Sequence, residues 1–394
     1  MERSRVILIV LDGVGIGELP DADEFGDRGT HTLAHVATAV HGLHLPRLAE
    51  FGLGRLAPVE GVPAVGRPTA CFGRMAERSR GKDSTTGHWE IAGVVAERAF
   101  PTYPYGFPSD VVEEFLRVTG FDGVLGNCVA SGTAIIEQFG DEHVRTGRPI
   151  VYTSADPVFQ IAAHEEVIPL ARQYEVCRLT RERVAVGDHA VGRVIARPFV
   201  GSSGAYRRTT NRRDFAMVPP RPTVLNLVQN AGIQTVTVGK VDDLFAGSGV
   251  TKALHTKSND EGVDRIVEQM QTQDRMFLWA NLVDFDQLYG HRQDAAGFAK
   301  ALEAFDASLD RLTGAMRPGD LLMITADHGN DPTDASTDHS REYVPILAKL
   351  AGKNRGVDLG TRSSFADLGA TVLEHLNVPS VGLSGSSFLR QIML

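Results

Sequence analysis

The sequence has few of the features that mark secreted, membrane-spanning or nucleic-acid-binding proteins. Only three of its 394 residues are cysteines and none forms a Cys-x-x-Cys pair, so we expect no disulfide framework and a reducing cytoplasm as its location. No apolar run approaches the roughly 20 residues of a membrane span. The early apolar run, residues 6–11, is too short for a signal-peptide core. The formal net charge of −9 argues against nucleic-acid binding, which needs basic patches.

The apolar segments that are present alternate between two periodicities. Short continuous runs at residues 6–11, 234–238, 276–282 and 321–326 predict strands buried on both faces. The clearest helix is predicted at residues 295–316, where apolar residues recur at steps of three and four. Strands that alternate with helices of this length predict an α/β fold with a mainly parallel sheet.

The middle of the chain has a different pattern. It begins with P-T-Y-P-Y-G-F-P and ends with M-V-P-P-R-P, and such clusters suggest two crossings between domains. A length of 394 residues also exceeds the size of most single hydrophobic cores. We therefore expect an α/β core in two segments, 1–98 and 220–394, and an inserted α+β cap, 99–219.

Acidic and histidine residues follow several of the predicted strands. In open α/β sheets ligands gather at the carboxyl ends of the strands. Three carboxylates and three imidazoles offer the mixed oxygen and nitrogen ligation that suits Mn²⁺ or Zn²⁺. Any one of these residues alone could be a turn or surface residue, but their joint occurrence indicates a metal centre. The candidate ligands are Asp12, Asp286, His291, Asp327, His328 and His339.

The string G-K-D-S-T-T-G-H-W-E, residues 81–90, offers a nucleophile. A hydroxyl at the start of a helix lies beside the backbone N–H groups and the positive dipole end that favour a phosphate. The alternative is that Ser84 or Thr85 is only a helix N-cap, and the spacing alone favours that interpretation.

Strings from one end of the chain to the other resemble the phosphopentomutases, a family of the alkaline phosphatase superfamily. The resemblance implies an alkaline-phosphatase-like core that carries two Mn²⁺ ions, with a mobile cap. The strings are D-G-V-G-I-G-E-L-P-D-A, G-K-D-S-T-T-G-H-W-E, D-P-V-F-Q-I-A-A-H-E, Y-R-R-T-T-N-R-R-D-F, V-G-K-V-D-D-L-F-A-G, V-D-F-D-Q-L-Y-G-H-R and T-A-D-H-G-N-D-P-T.

The resemblance also implies roles for particular residues. Ser84 stands where the family usually has a threonine nucleophile, and Thr85 next to it stays an alternative. Asp284 rivals Asp286 as a ligand, but the family pattern places the ligand five residues before the histidine. The implied metal sites are Asp12, Asp327 and His328 for one ion, and Asp286, His291 and His339 for the other.

The implied activity is the interconversion of ribose or deoxyribose 1-phosphate and 5-phosphate by an isomerase. A phosphoserine enzyme and a bisphosphate intermediate would carry the phosphoryl group, with a sugar bisphosphate such as glucose 1,6-bisphosphate as activator. The preferred pentose and the oligomeric state stay open. The residues expected to contact this small-molecule substrate are Ser154, Asp156, Arg193, Arg208 and Lys240.

Four other classes of protein fit the sequence less well. A metal-dependent phosphatase or phosphodiesterase of the same superfamily would share the metal motifs, but the strings in the middle of the chain favour a mutase. A dinucleotide-binding oxidoreductase would need a third glycine after G-V-G-I-G, where this chain has Glu18. A metal-binding protein without catalysis would have no use for the hydroxyl motif. No C-x-P-x-R or S-x-P-x-R string supports a sulfatase.

Overall fold

The computed structural model describes residues 4–154 and 156–394. They divide between two compact units, one comprising Met1–Arg98 and Pro219–Leu394 and the other Ala99–Val218. In these described segments no helix is both long enough and apolar enough to cross a bilayer.

The secondary structure alternates between strands and helices along most of the described chain. The strands are β1 (Arg5–Leu11), β2 (Cys71–Met75), β3 (Leu125–Val129), β4 (Ile150–Thr153), β5 (Val158–His164), β6 (Arg193–Val200), β7 (Arg207–Arg208), β8 (Arg213–Ala216), β9 (Gln234–Val238), β10 (Lys252–Leu254), β11 (Met276–Leu282), β12 (Leu321–Thr325), β13 (Val344–Leu350) and β14 (Asp358–Arg362). The α-helices are α1 (Ala22–Phe25), α2 (Thr32–Ala39), α3 (Pro46–Phe51), α4 (Ser84–Ile91), α5 (Ser109–Thr119), α6 (Gly132–Thr146), α7 (Leu170–Leu179), α8 (Val224–Asn230), α9 (Val241–Leu244), α10 (Asn259–Thr272), α11 (Ala295–Gly314), α12 (Ala366–His375) and α13 (Leu389–Met393). Shorter helical turns are the 3₁₀ segments Leu53–Arg55 and Gly187–His189 and the π-helical segments Thr180–Val184 and Phe285–Gly290.

The first unit is built on an eight-stranded sheet. Its strand order is β10-β9-β11-β1-β12-β13-β2-β14. Five of the seven strand pairs are parallel, and β13 alone runs antiparallel to its neighbours. The predicted α/β fold with a mainly parallel sheet is therefore confirmed in this unit.

The central strands β1, β11 and β12 are buried at every position. A parallel strand that is covered on both faces needs apolar residues at successive positions, and these three segments have them. The helix predicted at residues 295–316 is α11, which buries Phe298, Leu302 and Leu309. The apolar pattern therefore predicted the elements at the centre of the unit and their burial.

The second unit has a six-stranded mixed sheet. Strands β3 to β7 follow one another in order, and β8 pairs with β6. The pairs β3 with β4 and β5 with β6 are parallel, whereas the others are antiparallel. One apolar cluster contains Phe115 of α5 and Phe159 of β5, and a second contains Ile135 of α6 and Tyr152 of β4. The alternation of side chains along each strand places these two clusters on opposite faces of the sheet.

Candidate metal centre

The candidate metal ligands follow three neighbouring parallel strands. The register pairs Leu11 of β1 with Leu282 of β11, and Val10 of β1 with Thr325 of β12. Chain segments that leave these strands therefore emerge at one edge of the sheet. Asp12 follows β1 directly, and Asp327 follows β12 after one residue.

One group of ligand atoms surrounds the carboxylate of Asp286. Its Oδ2 lies 3.4 Å from Nε2 of His291, and its Oδ1 lies 3.3 Å from Nε2 of His339. The two imidazole Nε2 atoms are 3.2 Å apart. One ligand atom from each of the three side chains therefore lies within 4.8 Å of the others.

A second group surrounds the imidazole of His328. Its Nε2 lies 3.3 Å from Oδ1 of Asp12 and 3.4 Å from Oδ2 of Asp327. The rings of His328 and His339 stack with centroids 3.9 Å apart, so the two groups adjoin. One ligand atom each from Asp12, Asp286 and His328 also lie within 4.8 Å of one another, which places the carboxylate of Asp286 within reach of both groups.

Neighbouring polar groups fix the orientation of these ligands. The carbonyl oxygen of Thr337 lies 2.6 Å from Nδ1 of His291, and that of Gly329 lies 3.0 Å from Nδ1 of His328. A ring nitrogen that donates to a carbonyl leaves the opposite nitrogen as an acceptor or metal ligand. The amide of Asn330 donates to Oδ1 of Asp286 at 2.7 Å.

The buried charges perturb one another strongly. Burial by itself lowers the pKa of His328, but the carboxylates of Asp327 and Asp12 outweigh it and raise that pKa to about 10. Burial likewise lowers the pKa of His291, yet its contacts with Asp286 raise it to about 9. For Asp286, burial favours the neutral acid, but His339 and His291 hold the pKa well below its usual range. A pocket that stabilises positive charge this strongly also favours divalent cations.

The donor set fits divalent metal binding. Both carboxylate oxygens of Asp12 and Oδ2 of Asp327 are buried, and within the described chain no group meets them in hydrogen-bond geometry. The ammonium group of Lys240 does lie 2.7 Å from Oδ2 of Asp12 as an ion pair. Buried carboxylate oxygens without hydrogen bonds are costly unless a cation compensates them. Together with the three imidazoles, they provide the mixed ligation expected from the sequence.

The hydroxyl of Ser84 faces this cluster. Ser84 is the first residue of α4, after the N-cap Asp83, whose side chain accepts hydrogen bonds from the Thr85 and Thr86 amides. The Ser84 Oγ lies 3.2 Å from Nε2 of His328 and accepts a hydrogen bond from Lys240 at 3.2 Å. The cap function therefore belongs to Asp83, and the hydroxyl of Ser84 is directed toward the metal-ligand cluster.

Burial and contacts near its C-terminal end hold helix α4 in place. All eight of its residues are buried. Near its end, the carboxylate of Glu90 accepts hydrogen bonds from the backbone amides of Arg78 and Phe365. The indole of Trp89 donates to the Leu244 carbonyl at 3.0 Å. These contacts fix the helix that positions the Ser84 hydroxyl.

The sequence analysis did not identify His88 and Gly87, which connect α4 to the candidate ligands. Nδ1 of His88 lies 2.9 Å from the Ser84 carbonyl oxygen and 3.1 Å from Oδ2 of Asp327. A Cβ atom at Gly87 would lie 2.1 Å from the Asp327 carbonyl oxygen, so only glycine permits this approach. Both residues stand in the string T-G-H-W-E, but spacing does not reveal a contact with a residue 240 positions away.

We expect Gly87→Ala to destabilise the protein by about 1–3 kcal/mol, because the new methyl group would force α4 away from the strand-end loop. Thermal unfolding should show a lower midpoint, and the purified variant should contain less metal. The matched control is Gly314→Ala, since a Cβ there has nothing within 4 Å and the residue is also helical. Equal unfolding midpoints for the two variants would contradict the close packing.

The two alternatives that the sequence left open differ in their surroundings. The Oδ2 atom of Asp284 accepts a hydrogen bond at 2.7 Å from the backbone amide of Asn259, the first residue of α10, whereas Asp286 faces the two histidines. For the hydroxyl, the contacts with Lys240 and His328 are made by Ser84. The geometry therefore favours Asp286 and Ser84 over their neighbours.

The residues expected to contact the substrate lie in both units. Lys240 lies in the first, between Asp12 and Ser84. Ser154, Asp156, Arg193 and Arg208 belong to the second. A guanidinium nitrogen of Arg193 lies 4.0 Å from Oδ2 of Asp156. Arg208 is not grouped with them, because it pairs with Phe199 at the opposite end of β6 from Arg193.

Comparison with known proteins identifies the family. Residues 4–380 match the Metalloenzyme superfamily. A phosphopentomutase of Caldanaerobacter subterraneus subsp. tengcongensis is 53% identical over 390 residues, which cover 99% of this chain and 98% of that protein. Phosphopentomutases of Desulfitobacterium hafniense and Symbiobacterium thermophilum are each 54% identical over 389 residues, covering 99% and 98% of this chain and 100% and 98% of those proteins.

Solved structures share the fold at much lower identity. A phosphoglycerate mutase of Leishmania mexicana superposes with a TM-score of 0.51 and 12% identity over 98% of this chain and 97% of that one. A Pyrococcus horikoshii protein gives a TM-score of 0.51 and 14% identity over 98% and 100%. The predicted alkaline-phosphatase-like fold is confirmed. Because about half of its residues are identical to those of these phosphopentomutases over nearly its full length, the chain belongs to the phosphopentomutase family.

Proposed function

We propose that this chain is an isomerase that interconverts ribose 1-phosphate, or its 2-deoxy form, and ribose 5-phosphate. The observation that carries the chemistry is the hydroxyl of Ser84, which lies at a helix N-terminus 3.2 Å from both Lys240 and His328. The choice of a mutase over a hydrolase rests on the full-length identity to proteins named phosphopentomutase.

The six carboxylate and imidazole residues would hold two Mn²⁺ ions. When bound, the metals would lower the pKa of the nucleophilic hydroxyl and offset the negative charge of the phosphoryl group. The proposed ligands are Asp12, Asp327 and His328 for one ion and Asp286, His291 and His339 for the other. The buried oxygens of Asp12 and Asp327, which lie 3.3 Å and 3.4 Å from Nε2 of His328, support the first of these sets.

The chain's own groups around Ser84 suit a phosphorylated serine. The ammonium of Lys240 reaches both Asp12 and Ser84, and three nearby carboxylates outweigh its burial and raise its pKa, so it stays charged. A fixed cation and the positive end of α4 would stabilise a phosphoryl group on Ser84. We therefore assign Lys240 to the transferring phosphate rather than to the sugar.

The second unit would act as the cap and would recognise the sugar phosphate. Ser154 and Asp156 follow β4 and offer hydrogen-bonding groups to sugar hydroxyls. Arg193 lies 3.5 Å from Asp214 and 4.0 Å from Asp156, so its charge is balanced while it remains partly accessible. Arg208 would contribute a further cation for phosphate binding.

The proposed cycle conserves the phosphoryl group throughout. Phosphorylated Ser84 would donate its phosphoryl group to the free hydroxyl of a pentose monophosphate, giving a pentose bisphosphate. The bisphosphate would then return its other phosphate to Ser84, leaving the isomeric monophosphate. An enzyme without the phosphoryl group would need a sugar bisphosphate such as glucose 1,6-bisphosphate as activator. The three free cysteines suit the reducing cytoplasm that we propose as its location.

The proposed function is tested by incubating primed enzyme and Mn²⁺ with ribose 5-phosphate and measuring two products, ribose 1-phosphate and inorganic phosphate. We expect isomer formation to exceed phosphate release by orders of magnitude, and unprimed enzyme to need glucose 1,6-bisphosphate. Stoichiometric release of phosphate without ribose 1-phosphate would instead identify a phosphatase.

A further inference from the structure

The string that contains Ser84 also contains a lysine to which the proposed cycle gives no role. The side chain of Lys82 is only 19% exposed, and its ammonium group lies 2.9 Å and 3.1 Å from the two carboxylate oxygens of Asp27. The same ammonium group lies 3.3 Å from Oδ2 of Asp338. A charge at this depth is costly unless it is paired, and Lys82 is paired with carboxylates from two segments that are distant in the sequence.

Both carboxylates also bind the backbone of the segment that contains the candidate metal ligand His339. The Oδ1 atom of Asp338 accepts a hydrogen bond from the amide of His339 at 2.8 Å. The Oδ2 atom of Asp27, whose side chain is buried, accepts a hydrogen bond from the amide of Arg341 at 2.8 Å. Lys82, two residues before the proposed nucleophile, is therefore connected to the backbone at this candidate ligand and just after it.

The guanidinium of Arg341 makes a second connection between this segment and the loop before α4. Its Nη1 atom donates hydrogen bonds to the carbonyl oxygens of Ser79 and Gly81 at 2.8 Å and 2.7 Å. Gly81 packs against the first turn of α4, because a Cβ atom there would lie 2.8 Å from the side chain of Thr86. A shift of the loop would therefore move the N-terminus of α4, and the Ser84 hydroxyl with it.

We propose that Lys82 is a positioning residue that fixes the Ser84 hydroxyl relative to the candidate ligand His339. It acts through its ion pairs with Asp27 and Asp338. A displacement of about 1 Å at a reacting group can lower a rate about a hundredfold, so these ion pairs affect the reaction as well as the stability. The inference rests on the part of the proposed function that makes Ser84 the nucleophile, and not on whether the phosphoryl group then passes to a sugar or to water.

The test measures the rate at which glucose 1,6-bisphosphate phosphorylates Ser84 in the full-length, Mn²⁺-loaded protein, followed by the mass of the intact chain. Lys82→Met should lower this rate about tenfold to a hundredfold at saturating bisphosphate, while the half-saturating concentration and the Mn²⁺ content stay unchanged. Lys82→Arg retains the charge and should recover most of the loss. The matched control is Arg80→Met, with a rate within about twofold of the wild type, because Arg80 pairs with Glu24 from the same loop but both side chains are at least 60% exposed.

A double-mutant cycle separates positioning from general destabilisation. Asp27→Asn should lower the same rate, and adding Lys82→Met should lower it little further, because both substitutions break the same ion pair. A wild-type rate in Lys82→Met, an equal loss in Arg80→Met, or losses that multiply in the double variant would each overturn the proposal. If Lys82→Met does not fold, the rate of Asp338→Asn decides, since that side chain is 41% exposed, and a wild-type rate there would overturn the proposal as well.

The same measurements distinguish a failure of this inference from a failure of the proposed function. Both a mutase and a phosphatase of this kind first accept a phosphoryl group on Ser84. If the wild-type phosphoenzyme releases only inorganic phosphate but Lys82→Met is phosphorylated slowly, the proposed function fails and the positioning role of Lys82 stands. If the wild type isomerises ribose 5-phosphate and Lys82→Met is phosphorylated at the wild-type rate, the proposed function stands and the positioning role fails. A wild-type protein that accepts no phosphoryl group on Ser84 would overturn both.

Discussion

Replacing Ser84 with alanine is expected to lower turnover by roughly four orders of magnitude or more, as removal of a covalent nucleophile does elsewhere. The reason is geometric, because the Ser84 hydroxyl is the group that contacts Lys240 and His328. The substitution leaves the N-cap Asp83 in place, so α4 should still form. Steady-state assays of ribose 1-phosphate formation measure the effect, and the unfolding midpoint should change little.

The matched control is Thr85→Ala. The hydrogen bond from Thr85 to Asp83 is made by the backbone amide, which alanine retains, so activity should fall only modestly. Peptide mass mapping of the active wild-type enzyme should locate the phosphoryl group on Ser84. A phosphoryl group on Thr85, or a Thr85→Ala variant as inactive as Ser84→Ala, would contradict the assignment of Ser84 as the nucleophile.

Removal of the metal is expected to abolish activity and to lower the thermal unfolding midpoint. Without metal ions, the buried carboxylates of Asp12, Asp286 and Asp327 have only Lys240 and the neighbouring imidazoles to balance their charge, and the folded state loses the binding free energy of the metal. Mn²⁺ should restore activity best, because mixed carboxylate and imidazole ligation suits it. Asp327→Asn should bind less metal, as measured by elemental analysis, and should lose activity while it remains folded.

The control for this effect is Asp284→Asn. Asp284 lies only two residues from Asp286, but its carboxylate accepts a hydrogen bond from the Asn259 amide. Metal content and activity should therefore stay close to those of the wild type. Full activity in a chelated sample that elemental analysis shows to be free of metal would contradict the proposed metal centre.

The sequence was most informative where a physical rule links the chain to the fold. The continuous apolar runs of β1, β11 and β12 predicted buried parallel strands, because such strands need apolar residues on both faces. Parallel strands end at a common edge, so Asp12 and Asp327 were expected to meet. Their convergence with His328 could therefore be predicted without knowledge of the tertiary structure, although its role as a metal site stays a prediction.

The sequence alone could not predict contacts between residues that lie far apart in the chain. Lys240 was expected to contact the substrate, and nothing in its local sequence reveals that it lies beside Ser84, 156 residues away. The approach of Gly87 to Asp327 and of Gly132 to Tyr152 also depends on how distant segments pack. The apolar periodicity of a helix or strand indicates which of its faces is buried, but it does not indicate which residues of other segments pack against that face.

Transfer from a labelled phosphoenzyme tests the central claim most directly. Ser84 is first phosphorylated from glucose 1,6-bisphosphate that carries radioactive phosphate, and the isolated protein is mixed with Mn²⁺ and excess ribose 5-phosphate in a single turnover. We predict that the label leaves Ser84 and appears in pentose bisphosphate and pentose monophosphate, with little inorganic phosphate. Release of the label as inorganic phosphate, at a rate that ribose 5-phosphate does not change, would contradict a mutase.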